Sequence, residues 1–138
     1  GRWQDGWRLT DTGGGETVPY YQFTIPADSP SARHKAEIAG AVTKVHESVT
    51  GAPARYVNVS FVEVPPGSLF VADLPVIHGR MVGLIRSGRT DEQKAALLHG
   101  IAGAWSALTG EPKDGFALFL QEAPGSQMME YGEVLPEA

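Results

Sequence analysis

Hydrophobic and polar positions along the first half of the chain predict a strand, a helix and a second strand. The segment YYQFTI (20–25) combines aromatic and β-branched residues in imperfect alternation, which is typical of a strand. Ser29 as N-cap and Pro30 as the first helical residue predict where a helix begins, and Gly51 predicts its end. The segment YVNVSFVEV (56–64) predicts the second strand. The helix assignment depends on an apolar stripe with steps of three and four, formed by Ile38, Val42, Val45 and Val49.

The same order of elements repeats in the second half of the chain. The segment LFVADLPVIHG (69–79) follows a proline-rich break and is predicted to form a short hairpin or loop. The strand RMVGLIRS (80–87) leads into a helix whose first turn carries Thr90 and Gln93 in capping-box spacing. The segment FALFLQEA (116–123) predicts the fourth strand.

Two consecutive strand–helix–strand units predict an α/β (α+β) fold. Each helix is long enough to return the chain in a right-handed crossover between parallel strands. The predicted architecture is a four-stranded, mainly parallel sheet with two helices on one face. Such a layer leaves the second face of the sheet uncovered, so we expect an oligomer in which another copy covers it.

Composition narrows the class of protein further. A chain of 138 residues with 42% hydrophobic and 20% charged residues is typical of one soluble globular domain. The net charge of −5 argues against general nucleic-acid binding. Because no apolar run is as long as a membrane span and no signal peptide is visible, we expect a cytoplasmic protein that does not bind membranes. The absence of cysteine excludes a thiolate nucleophile, and no metal-ligand or phosphate-loop spacing occurs, so no metal or cofactor is predicted.

Residues 1–18 do not fit the repeated plan. They carry two tryptophans, Trp3 and Trp7, followed by a glycine-rich stretch that is typical of a flexible connection. The sequence therefore predicts an N-terminal extension, residues 1–18, attached to a domain of residues 19–138.

Three sets of polar residues are candidates for chemistry. Arg86 and Arg89 lie between a strand end and a helix start, where two guanidinium groups can bind a carboxylate or phosphate, although a solvated turn explains them equally well. His46 flanks the apolar stripe of the first helix, as a core or interface histidine often does. Glu130 lies between methionines and a tyrosine; apolar surroundings favour the neutral carboxyl that a general acid requires, but a solvated glutamate is the plainer interpretation.

Three longer segments carry a family resemblance: PSARHKAEIAGAVTKVHESVTG, LIRSGRTDEQK and QEAPGSQMMEYGEVLP. From Pro19 onward the chain resembles the tautomerase superfamily, specifically the group around cis-3-chloroacrylic acid dehalogenase. The resemblance implies a tautomerase/MIF-like β-α-β fold, a homotrimer and cofactor-independent chemistry on small unsaturated or 2-keto carboxylates. That chemistry is keto–enol tautomerisation, or hydration and hydrolytic dehalogenation.

The resemblance also implies roles for individual residues. Pro19 matches the family's amino-terminal proline, whose secondary amine is the catalytic acid or base. His46 and Glu130 match the residues that position and activate water. Arg86 and Arg89 match the pair that binds the substrate carboxylate.

One departure from the family pattern concerns the substrate pocket. Phe119 stands on the fourth predicted strand, three residues before Glu122, where the family has a tyrosine. Because a phenylalanine cannot hydrogen-bond water, we expect dehalogenation to suffer more than tautomerisation.

The second departure concerns the proline itself. Val18 precedes Pro19, so the proline nitrogen belongs to a tertiary amide that is neither basic nor a hydrogen-bond donor. Three interpretations follow: Val18 marks the true translation start, the extension is cleaved, or the extension is permanent. In the last case the protein is a catalytically impaired tautomerase-fold binding or scaffold protein, or an enzyme that uses only His46, Glu130 and the arginines.

Overall fold

A computed structural model describes residues 19–136 of the chain. The predicted extension, residues 1–18, lies outside the described residues. The elements are, in chain order, β1 (Tyr20–Pro26), α1 (Lys35–Thr50), β2 (Asn58–Val64), β3 (Phe70–Val71), β4 (Leu74–Pro75), β5 (Arg80–Arg86), α2 (Asp91–Thr109), β6 (Ala117–Ala123), β7 (Met129–Glu130) and β8 (Glu133–Val134).

The four long strands form one sheet in the order β2-β1-β5-β6. The two outer pairings, β1 with β2 and β5 with β6, are parallel, as the crossover helices require. The central pairing of β1 with β5 is antiparallel, so two of the three pairings are parallel. The predicted pair of β-α-β units in a four-stranded, mainly parallel sheet is therefore confirmed.

The core lies between the two helices and one face of the sheet. Alternate residues of the two central strands point to this face and meet the buried stripes of both helices. Trp105 is fully buried in α2, where it stacks on Phe116 at 4.0 Å and meets Phe23 edge-on at 5.0 Å. The buried members of this cluster are Tyr21, Phe23, Ile25, Ile38, Val42, Met81, Ile85, Leu97, Ile101 and Trp105.

The opposite face of the sheet carries no helix among the described residues. The strand alternation places several apolar side chains there, and four of them are exposed: Tyr20, Val62, Val82 and Phe119. The hairpin of β3 and β4, predicted as a hairpin or loop, is also apolar and exposed at Phe70, Val71 and Leu74. Neither described helix has the length and apolar character that a membrane span requires.

Local signals in the sequence locate most helix ends. Gly51 and Gly110 close α1 and α2 in the left-handed conformation that glycine adopts without strain. The predicted capping box is also formed, because Thr90 accepts from the backbone N–H of Gln93 at 3.1 Å and the Gln93 side chain accepts from the Thr90 N–H at 3.0 Å.

The predicted start of the first helix is wrong. The α-helix begins at Lys35 with His34 as N-cap, several residues after Pro30. The Ser29 hydroxyl does accept a hydrogen bond from the Ala32 N–H, at 3.2 Å, but it closes only a turn. The reason lies in Ser31, whose side chain is fully buried in a polar network that holds this segment as a turn.

Candidate active site

The sheet register brings Pro19 to the end of the sheet where β5 finishes. Tyr20 pairs with Leu84 in the antiparallel ladder, so the next position along places Pro19 across from Ile85, one residue before Arg86. On the other side, the Pro19 carbonyl accepts hydrogen bonds from Asn58, at 3.1 Å from the backbone N–H and at 3.3 Å from the side-chain amide. Two neighbouring strands therefore hold the proline in place.

His46 reaches this end of the sheet from the last turns of α1. It continues the buried stripe of Ile38 and Val42, and it is fully buried. Its Nδ1 atom lies 2.7 Å from the Tyr21 hydroxyl, with the two rings edge to face at 5.6 Å. Its Nε2 atom is also buried and has no hydrogen-bond partner in the described structure. The imidazole is thus anchored on one side and unsatisfied on the other.

Arg89 sets the electrostatics around His46. It lies in the turn after β5, directly before the α2 N-cap. Burial, and then the positive charge of Arg89, lower the pKa of His46 to about 4, so its imidazole is neutral at pH 7. Burial raises the pKa of Tyr21 well above its usual range, while the charge of Arg89 opposes that rise, so the phenol keeps its proton.

The C-terminal hairpin carries Glu130 to the same end of the sheet. Met128 and Leu135 are buried against Leu84 and Ala123, at the ends of β5 and β6. Arg86, which is 4% exposed, donates from Nη2 to the Pro136 carbonyl and so fastens the chain beyond the hairpin. The sequence predicted no element in this segment, since its strands are only two residues long.

Tyrosines accompany the carboxylate of Glu130. Burial, followed by the charges of Glu130 and Tyr56, raises the pKa of Tyr131. Tyr131 itself has a φ of 53°, and Gly132 follows at 84°, as a tight primed hairpin turn requires. A tyrosine in the left-handed region is uncommon, so the turn that presents Glu130 is held in a strained conformation.

Three of the six predicted site residues, Pro19, Arg86 and Arg89, lie around the end of β5, and His46 is near enough to Arg89 to feel its charge. Glu130 lies on the hairpin that packs on the ends of β5 and β6. The sixth residue, Phe119, does not lie at this end of the sheet. Phe119 lies midway along β6, opposite Val82, and is 53% exposed on the uncovered face of the sheet.

Sequence reasoning missed Tyr21, because an aromatic residue at an alternating strand position is the ordinary mark of a core residue. It also missed Tyr56, which lies in a short 3₁₀ turn before β2. Spacing along the chain gives no signal for Tyr21, since its contact with His46 is made across the fold.

The far end of the sheet holds a second polar feature. The buried carboxylate of Glu111 accepts from the Ser31 hydroxyl at 2.5 Å and lies 3.0 Å from Nδ1 of His78. Trp105 donates its indole N–H to the same serine at 2.7 Å. Glu111 and His78 also line a cavity of about 330 Å³ with mostly apolar walls that include Pro26. Within residues 19–136, no group of histidine and carboxylate side chains is arranged to hold a metal ion.

Comparison with known protein families agrees with this geometry. A family model described as putative oxalocrotonate tautomerase enzyme matches residues 18–138. The chain belongs to the tautomerase superfamily. The match begins one residue before Pro19 and covers every described element.

Solved structures place the chain within this superfamily. It is 32% identical to N1, a member of the cis-3-chloroacrylic acid dehalogenase family, over 86% of this chain and 84% of N1, with a TM-score of 0.77. It is 31% identical to Ps01740 over 80% of this chain and 99% of that protein, with a TM-score of 0.72. An asymmetric trimer of wild-type F6 fused 4-OT shares the fold, at 20% identity over 83% and 94% of the two chains and a TM-score of 0.76. No curated protein matches the chain.

Proposed function

We propose that this tautomerase-superfamily chain is an enzyme that moves protons on small unsaturated or 2-keto carboxylates by keto–enol tautomerisation. The observation that supports the proposal is the placement of Pro19, Arg86 and Arg89 around the end of β5, with the charge of Arg89 acting on the buried His46. Membership of the superfamily supports the same conclusion.

In the proposed mechanism the arginines bind the carboxylate of the substrate. Arg86 and Arg89 would draw electron density from the conjugated double bond through that carboxylate. Their positive charge would also lower the pKa of a nearby secondary amine, so that a free Pro19 nitrogen is neutral and basic near pH 7. The neutral amine takes the proton from the enol hydroxyl and delivers it to the carbon next to the ketone, or carries it in the reverse direction, which completes the tautomerisation.

A hydration route uses the same residues with Pro19 protonated. The ammonium delivers a proton to the α-carbon, while Glu130 takes a proton from water whose oxygen bonds to the β-carbon, with His46 holding that water. When the β-carbon carries a halogen, the adduct is a halohydrin that loses halide from carbon and the proton from its hydroxyl, which leaves a carbonyl group. Phe119 cannot assist by hydrogen bonding, so we expect this route to be slower than tautomerisation.

The mechanism requires a chain that begins at Pro19. We propose that the working enzyme lacks the Val18–Pro19 bond, and residues 1–17 lie outside the family match. With that bond intact the nitrogen is an amide, and this observation favours a second candidate function. In that case the protein binds small carboxylates through Arg86 and Arg89 without turning them over.

We also propose that the working form is a homotrimer. The exposed apolar residues on the uncovered face of the sheet, and the trimer formed by a fused 4-OT of the same fold, support this assembly. A neighbouring copy would cover Phe119, whose position away from Pro19 within one chain leaves it available to a second copy.

The deciding experiment compares the full chain with a chain that begins at Pro19. Each is assayed with phenylenolpyruvate or a 2-hydroxydienoate, and Pro19→Ala in the shorter chain serves as the matched control. We expect a large gain in kcat/KM on truncation that Pro19→Ala abolishes. Equal rates in the full and shortened chains would refute the role of the amine, and carboxylate binding without turnover in both would establish the second candidate.

A further inference from the structure

We infer that Tyr21 is a positioning residue that fixes His46 in the tautomer carrying its proton on Nε2, so that His46 acts as a hydrogen-bond donor rather than as a base. This inference rests on the proposed function for its consequences in catalysis. The assignment of the tautomer stands on the described geometry alone.

The contact between Tyr21 and His46 is short, buried and isolated. The hydroxyl lies 2.7 Å from Nδ1, and both residues have no exposed surface. Water therefore does not reach this contact to exchange partners with it. Whichever group donates, the other must accept, and the choice determines the chemistry of the opposite ring nitrogen.

Counting unsatisfied groups decides between the two arrangements. If the Tyr21 hydroxyl donates to Nδ1, the proton of the imidazole is on Nε2, and this single N–H is left without a protein partner. If Nδ1 donates instead, the Tyr21 proton has no acceptor and Nε2 is an unsatisfied acceptor as well. The second arrangement leaves two buried groups unsatisfied rather than one, and each such group is costly.

The remaining Nε2–H is then a donor kept ready for a ligand. The positive charge of Arg89 is close enough to perturb the imidazole, so this region favours an electron-rich partner. In the proposed complex an oxygen atom of the substrate, or of the attacking water, would displace the groups that cover the buried Nε2–H and accept its hydrogen bond. His46 would therefore orient that oxygen, while proton removal is left to Pro19 and Glu130.

The direct test is nuclear magnetic resonance of the ¹⁵N-labelled full chain, which needs no turnover. The four histidines are assigned with the help of His46→Gln, and two-bond ¹H–¹⁵N correlations then report which nitrogen carries the proton. We expect a protonated Nε2 and an unprotonated Nδ1 in the wild type, and an averaged pattern in Tyr21→Phe. A proton on Nδ1 in the wild type, or an unchanged tautomer in Tyr21→Phe, would overturn the inference.

The kinetic test uses the chain that begins at Pro19. Tyr21→Phe should lower kcat by roughly tenfold, as loss of a residue that orients an active-site imidazole typically does, with little change in KM. Thr43→Val is the control, because the Thr43 hydroxyl donates only to the Ala39 carbonyl within α1, and it should leave kcat unchanged.

A second comparison separates donation from base catalysis. His46→Gln keeps an N–H donor at the ε position but cannot accept a proton, so it should retain more activity than His46→Ala. Equal losses in these two variants would contradict the donor role. If the shortened chain shows no turnover at all, the proposed function fails while the resonance measurement still decides the tautomer.

Discussion

Acid should destabilise this protein specifically through His46. Burial and Arg89 lower the pKa of His46 from the usual 6.5 to about 4. As the pH falls below 6.5, the unfolded chain binds a proton at this residue before the folded chain does. The free energy of unfolding therefore decreases from about pH 6.5 down to about pH 4 because of this group, and it rises again with pH across the same window.

The size of the effect follows from the width of that window. A pKa lowered from 6.5 to about 4 corresponds to about 3 kcal/mol, at roughly 1.4 kcal/mol for each pH unit. Because most domains have only about 5–15 kcal/mol of stability, a loss of this size should be visible in a denaturation curve.

The assay is urea unfolding of the full chain at several pH values between 7 and 4, at one protein concentration, followed by tryptophan fluorescence. His46→Gln has no group to titrate at this position, so its curve should fall less steeply, and the two curves should converge by about 3 kcal/mol at pH 4. Val42→Ala, which removes buried methyl groups from the same helix stripe, should lower stability equally at all pH values. Parallel curves for the wild type and His46→Gln would refute the pKa assigned to this residue.

Three further predictions concern other parts of the fold. Gly103→Ala, in an open position of α2, should raise the free energy of unfolding by about 0.5–1 kcal/mol in chemical denaturation. Gly100→Ala in the same helix should not raise it, because the new Cβ would lie 2.8 Å from a valine of α1. An equal increase in both variants would contradict the packing described. In Glu111→Gln only one side-chain oxygen remains for Ser31 and His78, which contact different oxygens of the carboxylate. Thermal unfolding should therefore show a free energy of unfolding lower by about 1–3 kcal/mol. An unchanged melting temperature would mean that the network does not contribute to stability. Arg89→Gln should raise the pKa of His46 in a resonance titration, but not to its usual value, because burial is the larger cause; an unchanged pKa would place the guanidinium elsewhere.

Much of the fold is predictable because its signals are local. The glycines that end both helices and the capping box at Thr90 act within a few residues, and each is found as the sequence indicates. The start of α1 was mispredicted because a nonlocal contact decided it. The buried Ser31 side chain bonds to residues 74 and 80 positions away, and no local pattern reveals that.

The residues of the candidate site likewise differ in whether local sequence or nonlocal packing determines their position. Pro19 could be named only through a family resemblance. His46 and Glu130 were candidates from their surroundings, but a core stripe and a solvated tail explained them as well, and only the resemblance gave them roles. The partnership of His46 with Tyr21 depends on how α1 crosses β1, which periodicity does not specify. The placement of Glu130 likewise depends on how the C-terminal hairpin packs on the ends of β5 and β6.

The antiparallel pairing of β1 with β5 relates the two β-α-β units by an approximate twofold axis. This axis passes near the paired residues Gln22 and Val82, so each position in the first unit matches the position 60 residues later in the second unit. The counterpart of Pro19 is therefore Gly79. Gly79 lies beside the far cavity and is so tightly enclosed that a Cβ there would lie 2.4 Å from the Thr24 carbonyl oxygen. A glycine held inside the chain can never present a secondary amine. If the proposed function holds, the two structurally related ends of the sheet differ in reactivity, and an electrophilic substrate analogue should label the chain that begins at Pro19 at that end and not at Gly79.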